Sequence, residues 1–170
     1  LGDTCTRGCS FCNVKKGVPD APDREEPGRV AEAVKKLGLK YAVITSVTRD
    51  DLEDGGASAF AETARAIKLA TAAKVEVFVP DFAGDTRAVD KVLEAGPDVF
   101  GHNIETVPSL YYIRKGASYS RSLSVLKHAA GAGAVTKSAI MLGLGEREDE
   151  VMASLSDLRQ AGCSYLCIGQ

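Results

Sequence analysis

The sequence predicts an α/β fold in which parallel strands form a partial, TIM-like (β/α)6 barrel. Short apolar runs alternate with longer amphipathic stretches, and the interval between runs suits one strand plus one helix. The chain has 170 residues, whereas a closed eightfold barrel needs about 250. We therefore expect a single domain over residues 1–170, open on one side. Because the chain starts at Leu1 and stops at Gln170, we expect it to be cut at both ends.

Five buried strands are predicted from runs rich in Val and Ile and bounded by Gly, Pro or Asp. These runs are Tyr41–Ser46, Val75–Pro80, Asp98–Ile104, Val135–Leu142 and Tyr165–Gly169. Leu1 and Gly2 are predicted to end a sixth strand. Strands joined through a helix run parallel. A doubly wound sheet is the alternative, but no G-x-G-x-x-G follows the first strand.

Five amphipathic helices are predicted between the strands. Val30, Val34 and Leu37 recur at i, i+4 and i+7, and Pro27 and Gly38 are residues typical of a helix start and a helix end. The other four apolar stripes are Phe60/Ala64/Ile67, Val89/Val92/Leu93, Leu123/Leu126/Ala130 and Val151/Leu155/Leu158.

Charge and composition exclude several classes of partner. Lys plus Arg number 21 and Asp plus Glu number 23, which gives a net charge of −2 and no general attraction for nucleic acid or an anionic membrane. The absence of Trp and an aromatic content of 6% argue against a surface for base stacking. No apolar run reaches the roughly 18 residues of a membrane span. We expect neither nucleic acid nor membrane as a partner.

The strongest chemical signal is Cys5-x3-Cys9-x2-Cys12, directly after the first predicted strand. Five cysteines is an odd number, which does not suit a set of disulfides, so a metal site in a reducing compartment is expected. Three thiolates suit a [4Fe–4S] cluster with one iron left open. A zinc site completed by His102 or Cys163 is the alternative.

These motifs together resemble the lipoyl synthases of the radical S-adenosylmethionine superfamily. The cysteine motif alone is typical of the superfamily. The combination of GDTCTRGCSFC, TSVTRDDLEDGGA, PDF, HNIETVP, KSAIMLGLGE and AGC-x5-GQ is similar to the lipoyl synthase core in order and spacing. The similarity extends from Gly2 to Gln170.

The resemblance implies that Cys5, Cys9 and Cys12 are catalytic, as ligands of the cluster that cleaves S-adenosylmethionine. It implies cofactor contacts at the carboxyl ends of the strands, where active sites of β/α folds lie. The residues implied are Phe11, Thr45, Ser46, Asn103, Glu105, Lys137, Met141, Leu142 and Gly143.

Structural roles remain open for several residues. Phe11 is equally well explained by core packing, Thr45 and Ser46 by capping of a strand end, and Lys137 by exposure to solvent. Ala139 departs from the superfamily's G-x-I-x-G-x-x-E pattern at its first glycine.

Several other residues are predicted to have mainly structural roles or to lie on the surface. His102 is expected to be a structural histidine, and Cys163 and Cys167 to be small, buried hydrophobes. In the acidic loop 49–56, Asp54 caps the next helix or helps to shape the cofactor pocket. Arg114 and Lys115 are expected on the solvated surface, with an acidic partner protein as the alternative.

The activity implied by the resemblance is that of a sulfurtransferase that inserts two sulfurs into a protein-bound octanoyl chain to form a lipoyl group. Complete family members carry a second, auxiliary [4Fe–4S] cluster, whose amino-terminal C-x4-C-x5-C segment and carboxyl-terminal serine are not in this sequence. These residues alone are therefore expected to cleave S-adenosylmethionine without forming lipoyl product. The alternatives are another radical enzyme that inserts sulfur, or a zinc-stabilised module without catalysis.

The partners implied are an octanoylated lipoyl carrier protein domain or H protein, and an electron donor such as ferredoxin or flavodoxin. The location implied is the cytoplasm of a bacterium, or the mitochondrial or plastid matrix of a eukaryote.

Overall fold

The computed structural model describes residues 1–170 and contains two parallel sheets. A small sheet pairs β1 (Thr4–Cys5) with β2 (Lys15–Lys16). The main sheet has the order β3-β4-β5-β6-β7 and does not close on itself. Its strands are β3 (Tyr41–Thr45), β4 (Lys74–Phe78), β5 (Val99–Gly101), β6 (Thr136–Met141) and β7 (Tyr165–Gly169), all parallel. The predicted open, partial barrel of parallel strands is confirmed.

Five α-helices alternate with these strands and carry the predicted apolar stripes, except that Leu37 follows α1 as its C-cap residue and is 71% exposed. They are α1 (Glu26–Lys36), α2 (Ala57–Ala70), α3 (Thr86–Leu93), α4 (Tyr119–Gly131) and α5 (Glu148–Gln160). Two 3-10 segments, Phe82–Gly84 and Pro108–Ile113, follow β4 and β5. None of the helices combines the length and the apolar character needed to cross a membrane.

The predicted first strand differs from the observed one. Leu1 is buried in the main core, and the first strand begins only at Thr4 and pairs with β2 instead of the main sheet. The segment after it still reaches the main sheet, because Thr6 N donates to Thr48 O at 3.1 Å just beyond β3. The loop that carries the cysteines therefore lies at the carboxyl ends of the main strands.

Successive side chains along each strand point to opposite faces of the main sheet. One face is covered by helices, and the other faces the open interior of the partial barrel. Ala42, Val75, Val77 and Phe100 point to the helices and belong to a core of 21 buried residues. A second core of six buried residues packs beneath α4 and α5 and includes Ile140. The interior face is less covered and carries the polar residues described below.

The prediction that β7 is buried is wrong. Tyr165 is 60% exposed and Ile168 55% exposed, and Cys167 is exposed as well. Strand β7 lies at the edge of the sheet with a neighbour on one side only. Of its side chains, Leu166 packs against the smaller core. Cys167 is thus not the buried small hydrophobe that the sequence predicts.

Candidate cofactor site at the carboxyl edge of the sheet

The cysteine loop is held to two other loops by its backbone. Thr6 donates to Thr48 O from its backbone N and from Oγ1, at 3.1 and 3.0 Å, after β3. Ser10 N donates to Ile113 O at 2.9 Å, at the end of the 3-10 segment after β5. The loop therefore spans the carboxyl edge of the sheet from β3 to β5, where β/α folds hold their ligands.

The three thiols of this loop are free and partly buried. Burial raises the pKa of the Cys9 thiol, and negative charge on Cys12 or Cys5 raises it further. The guanidinium groups of Arg114 and Arg7 oppose these effects. The charge of Arg114, and then that of Arg7, thus favours the thiolate form of Cys9.

The three thiols give the number of ligands that a [4Fe–4S] cluster with one open iron takes. No three His, Cys, Asp or Glu side chains are gathered tightly enough to hold one metal ion. A cubane cluster is larger than one ion and takes each thiolate on a separate iron. The proposed fourth zinc ligands are also occupied or distant. Both ring nitrogens of His102 are hydrogen-bonded, and Cys163 lies before β7, at the amino edge of the sheet.

Arg7, between Cys5 and Cys9, is buried, which sequence reasoning missed. It is 8% exposed, and its Nε and Nη2 donate to the two carboxylate oxygens of Asp50 at 2.7 and 2.8 Å. Nη2 also donates to Asp81, a fully buried carboxylate, at 2.6 Å. Burial works to lower the pKa of Arg7, but both carboxylates outweigh it and raise that pKa. The only hint in the sequence is that Asp50 and Asp81 each follow a predicted strand.

Arg114 is not the surface residue that the sequence predicts. Its Nη1 donates to Asn103 O at 2.9 Å and to Ser122 Oγ at 3.2 Å. Its guanidinium carbon lies 5.2 Å from the centre of the Tyr111 ring. Its Nε is buried without a hydrogen-bond partner. An unpaired buried donor is unfavourable, so this edge of the guanidinium is suited to an added acceptor.

Asn103 and Glu105 lie together just beyond β5, near Arg114. The backbone of Glu105 has a φ of 64° and still pairs with β6, donating to Ala139 O at 3.0 Å and accepting from Met141 N at 2.8 Å. Burial raises the pKa of Glu105, while the charge of Arg114 and a hydrogen bond from Asn103 oppose the shift. A left-handed φ is uncommon for Glu, and the paired backbone on both sides maintains it.

The end of β3 and the cysteine loop carry three further predicted contacts. Thr45 is exposed on the interior side, and its hydroxyl makes no hydrogen bond within the chain. Ser46 Oγ donates to Val47 O at 2.7 Å, which is the capping role left open by the sequence. Phe11 is 39% exposed, so it does not serve the core.

Met141, Leu142 and Gly143 form the end of β6 and the start of its turn. Leu142 N donates to Gly169 O at 2.8 Å. Gly143 has a φ of +90°, and its N donates to a carboxylate oxygen of Glu146 at 2.6 Å. Glu146 therefore fixes the shape of this glycine turn. The turn lies at the carboxyl edge of the sheet, beside the other predicted contacts.

Lys137 lies away from these residues, inside the partial barrel. It is the second residue of β6, and its Nζ lies 2.9 Å from Oε1 of Glu76. Tyr41 donates to the same carboxylate at 2.6 Å. The hydrogen bond to Glu76 raises the pKa of Lys137. Lys137 thus already has a carboxylate partner within the chain and is not simply exposed to solvent.

The structural role predicted for His102 is confirmed. Its Nδ1 lies 2.9 Å from Val79 O and its Nε2 2.9 Å from Ser122 Oγ. Burial lowers its pKa to about 4. In the acidic loop, Asp54 accepts from Gly56 N at 3.0 Å and from Ser58 N at 2.8 Å, so its side chain binds the first turn of α2, while the N-cap residue is Gly56.

The chain is similar in sequence to known proteins of one superfamily. A family model described as the radical SAM superfamily matches residues 1–158. The chain is 56% identical over 173 residues to a lipoyl synthase of Geobacter metallireducens and covers 61% of that protein. It is 58% identical over 174 residues to a lipoyl synthase of Pyrobaculum calidifontis and covers 60% of it. Both alignments include the whole chain, which spans about three fifths of these curated relatives.

Solved structures show the same fold at low sequence identity. Methylornithine synthase (PylB) matches with a TM-score of 0.74 and 17% identity, over 98% of this chain and 50% of that chain. Streptococcus suis SuiB bound to S-adenosylmethionine matches with a TM-score of 0.75 and 11% identity, over 98% and 38%. Coproporphyrinogen III oxidase (HemN) of Escherichia coli, a radical SAM enzyme, gives a TM-score of 0.67 and 12% identity, over 98% and 42%. Such likenesses support the architecture alone.

Proposed function

This chain belongs to the radical SAM superfamily, and from that membership we propose that it is the cofactor-cleaving core of a lipoyl synthase. The observation that carries the proposal is the loop with three free thiols at the carboxyl edge of the sheet. The identity of 54–58% to lipoyl synthases along the whole chain supports the choice of family within the superfamily.

Cys5, Cys9 and Cys12 would hold the [4Fe–4S] cluster. When bound, the cluster supplies the electron that cleaves S-adenosylmethionine to methionine and a 5′-deoxyadenosyl radical. The chain's own part is to bind and orient the cofactor and to limit competing reactions. The half-buried position of all three thiols helps to limit competing reactions, because it restricts the access of water to the metal centre.

The cofactor carries a carboxylate, an ammonium group, ribose hydroxyls and an adenine ring, and the carboxyl edge offers a group for each. The unpartnered Nε of Arg114 suits the carboxylate. Glu105 and Asn103 suit the ammonium group and the ribose hydroxyls, and Thr45 and Ser46 offer oxygens to the ammonium group.

We assign the adenine ring to the space between two apolar groups of residues at this edge. Phe11 is exposed on the cysteine loop, and Met141, Leu142 and Gly143 form the end of β6. Gly143 has no side chain, so the backbone can approach a ring closely. Lys137 is left out of the proposed site because Glu76 occupies its ammonium group.

The whole protein would insert two sulfurs into an octanoyl chain on a lipoyl carrier protein domain or H protein, with ferredoxin or flavodoxin as reductant. An auxiliary [4Fe–4S] cluster would serve as the sulfur source. Since none of its ligands is among residues 1–170, these residues alone should cleave the cofactor without forming lipoyl product.

Anaerobic reconstitution with iron and sulfide, followed by measurement of 5′-deoxyadenosine, tests the proposal. The wild-type chain should become brown and release 5′-deoxyadenosine when reduced. Cys9→Ser should abolish both, because a hydroxyl is a poor ligand for this soft centre. Cys167→Ser is the matched control, since that thiol is exposed on β7, and it should behave like wild type.

Three outcomes would contradict parts of the proposal. A colourless protein that binds one zinc ion tightly would support the module without catalysis. Full cleavage by Cys9→Ser would overturn the ligand assignment. Lipoyl product from these residues alone would show that sulfur does not come from an auxiliary cluster.

A further inference from the structure

We propose that Arg7 is a positioning residue that holds the cysteine loop in its ligand-binding shape through its ion pairs with the buried Asp81 and with Asp50. The proposal deepens the function above and depends on it for the identity of the cluster. Nε and Nη2 of Arg7 bind Asp50 and Asp81, so we assign Arg7 no contact with metal or cofactor. It acts through the backbone that it shares with Cys5 and Cys9.

One guanidinium connects three separate segments at the carboxyl edge. Arg7 lies inside the cysteine motif, Asp50 lies beyond β3, and Asp81 lies beyond β4. The bonds run from Nε and Nη2 to Asp50 at 2.7 and 2.8 Å and from Nη2 to Asp81 at 2.6 Å. A planar fork of donors suits this task, because it fixes orientation as well as distance.

The other hydrogen bonds of the cysteine loop connect it to the segments after β3 and β5. The strand before it is two residues long and pairs with only two residues of β2. A ladder this short contributes little order by itself. Backbone bonds of Thr6 and Ser10 hold the two halves of the loop, and Arg7 lies between them. The Arg7–Asp81 pair is therefore the contact that joins this loop to the segment after β4.

The Arg7–Asp81 pair is buried, so the loss of one partner is costly. Asp81 has no exposed surface, and its second oxygen accepts from Arg121 at 3.2 Å. Gly116 packs over the stem of Arg7, where an added Cβ would lie 3.4 Å from Cδ. Removal of one partner from such a pair leaves an uncompensated buried charge, so the remaining side chain tends to move.

Alkylation of the metal-free protein tests the proposal without any cofactor. The five cysteines would be labelled with iodoacetamide and quantified individually by mass spectrometry. Asp81→Asn keeps the shape of the side chain but removes its charge. We expect alkylation of Cys9 to be at least about three-fold faster than in wild type, since labelling follows local opening. The exposed Cys167 should react at an unchanged rate and serves as an internal reference.

Asp23→Asn is the matched control. Asp23 pairs with Arg29 at the same 2.6 Å, but both side chains are more than half exposed and the pair lies on the α1 side of the fold. This variant should leave the labelling of every cysteine unchanged. An unchanged rate for Cys9 in a folded Asp81→Asn protein would overturn the proposal.

A second variant is available in case Asp81→Asn unfolds the whole domain. If Asp81→Asn unfolds the domain, Cys163 will also react faster, and Asp50→Asn then replaces it. Asp50 binds the same guanidinium but is 36% exposed, so its loss is tolerated more readily. Selective acceleration at Cys9 would support the proposal, and no acceleration would overturn it.

Reconstitution then separates this proposal from the proposed function. If wild type takes up iron and sulfide, Asp81→Asn should retain less iron per chain and show an altered electron paramagnetic resonance spectrum after reduction. If wild type takes up no iron, the proposed function fails, while the alkylation result still decides whether Arg7 orders the loop.

Discussion

Two buried carboxylates, Asp81 and Glu76, lie five residues apart along the chain, but they form ion pairs with different parts of the molecule. Asp81 lies just beyond β4 with no exposed surface and binds Arg7 and Arg121. Glu76 lies within β4, is 5% exposed, and binds Lys137. Both pairs have short distances, 2.6 and 2.9 Å, and both carboxylates are buried, although the Lys137 side chain is 30% exposed.

The difference lies in what each carboxylate connects. Glu76 joins strands that lie in one continuous hydrogen-bonded sheet, so its loss should weaken a structure that is otherwise intact. Asp81 joins loops that have few backbone bonds to one another. Similar ion pairs can thus contribute mainly to stability in one place and mainly to the shape of a site in another.

Acid should give the largest change in stability, and it should act on the Asp81 side of the sheet. His102, whose neighbouring charges include Asp81 and Arg7, is buried with its pKa lowered to about 4 from an ordinary 6.5. Between these values the unfolded chain binds a proton that the folded chain does not, so stability falls as pH falls from 6.5 to 4. The full loss is about 3 kcal/mol.

Urea unfolding at several pH values measures this slope. His102→Gln removes the titrating group and should flatten the slope over that range, whatever its effect on stability at neutral pH. An equally steep slope in the variant would assign the effect of acid to other groups. The pKa of Asp81 is also held low: burial opposes the shift, but Arg7 outweighs it. Its contribution is therefore lost only in stronger acid.

Glu76→Gln should give the next largest change, a loss of roughly 1–2 kcal/mol in the free energy of unfolding. The Lys137 side chain is 30% exposed, so solvent limits the cost of losing its partner. Iron uptake should remain at the wild-type level. Glu32→Gln is the control, because its pair with Lys36 at 2.8 Å is exposed and should contribute little. A loss of iron uptake at full stability would contradict the distinction between the two carboxylates.

Cys167→Ser should give the smallest change, within about 0.5 kcal/mol of wild type. The sequence alone predicts a larger cost, because a hydroxyl in a buried strand lacks partners. The observed thiol is exposed at the edge of the sheet, so water can satisfy the hydroxyl. A thermal unfolding curve settles the point, and a loss above 1 kcal/mol would place Cys167 in a buried environment.

Local pattern in the sequence was sufficient for the repeat of strands and helices and for the place of the cysteine motif. Apolar periodicity depends on neighbours a few residues apart, and parallel strands bring their carboxyl ends to one edge whatever the details of packing. Thus Cys5, Thr45, Asn103 and Met141 could be assigned to that edge from the sequence, and the structure brings them there.

Only the tertiary structure decided how the charged residues are used. Arg7 pairs with residues 43 and 74 positions away, and Lys137 pairs with one 61 positions away. Nothing in the local sequence distinguishes such side chains from solvated ones, since burial and partner are properties of the assembled sheet. The same reason explains the misplaced Arg114 and the exposed β7: exposure depends on which elements lie alongside, and periodicity carries no information about that.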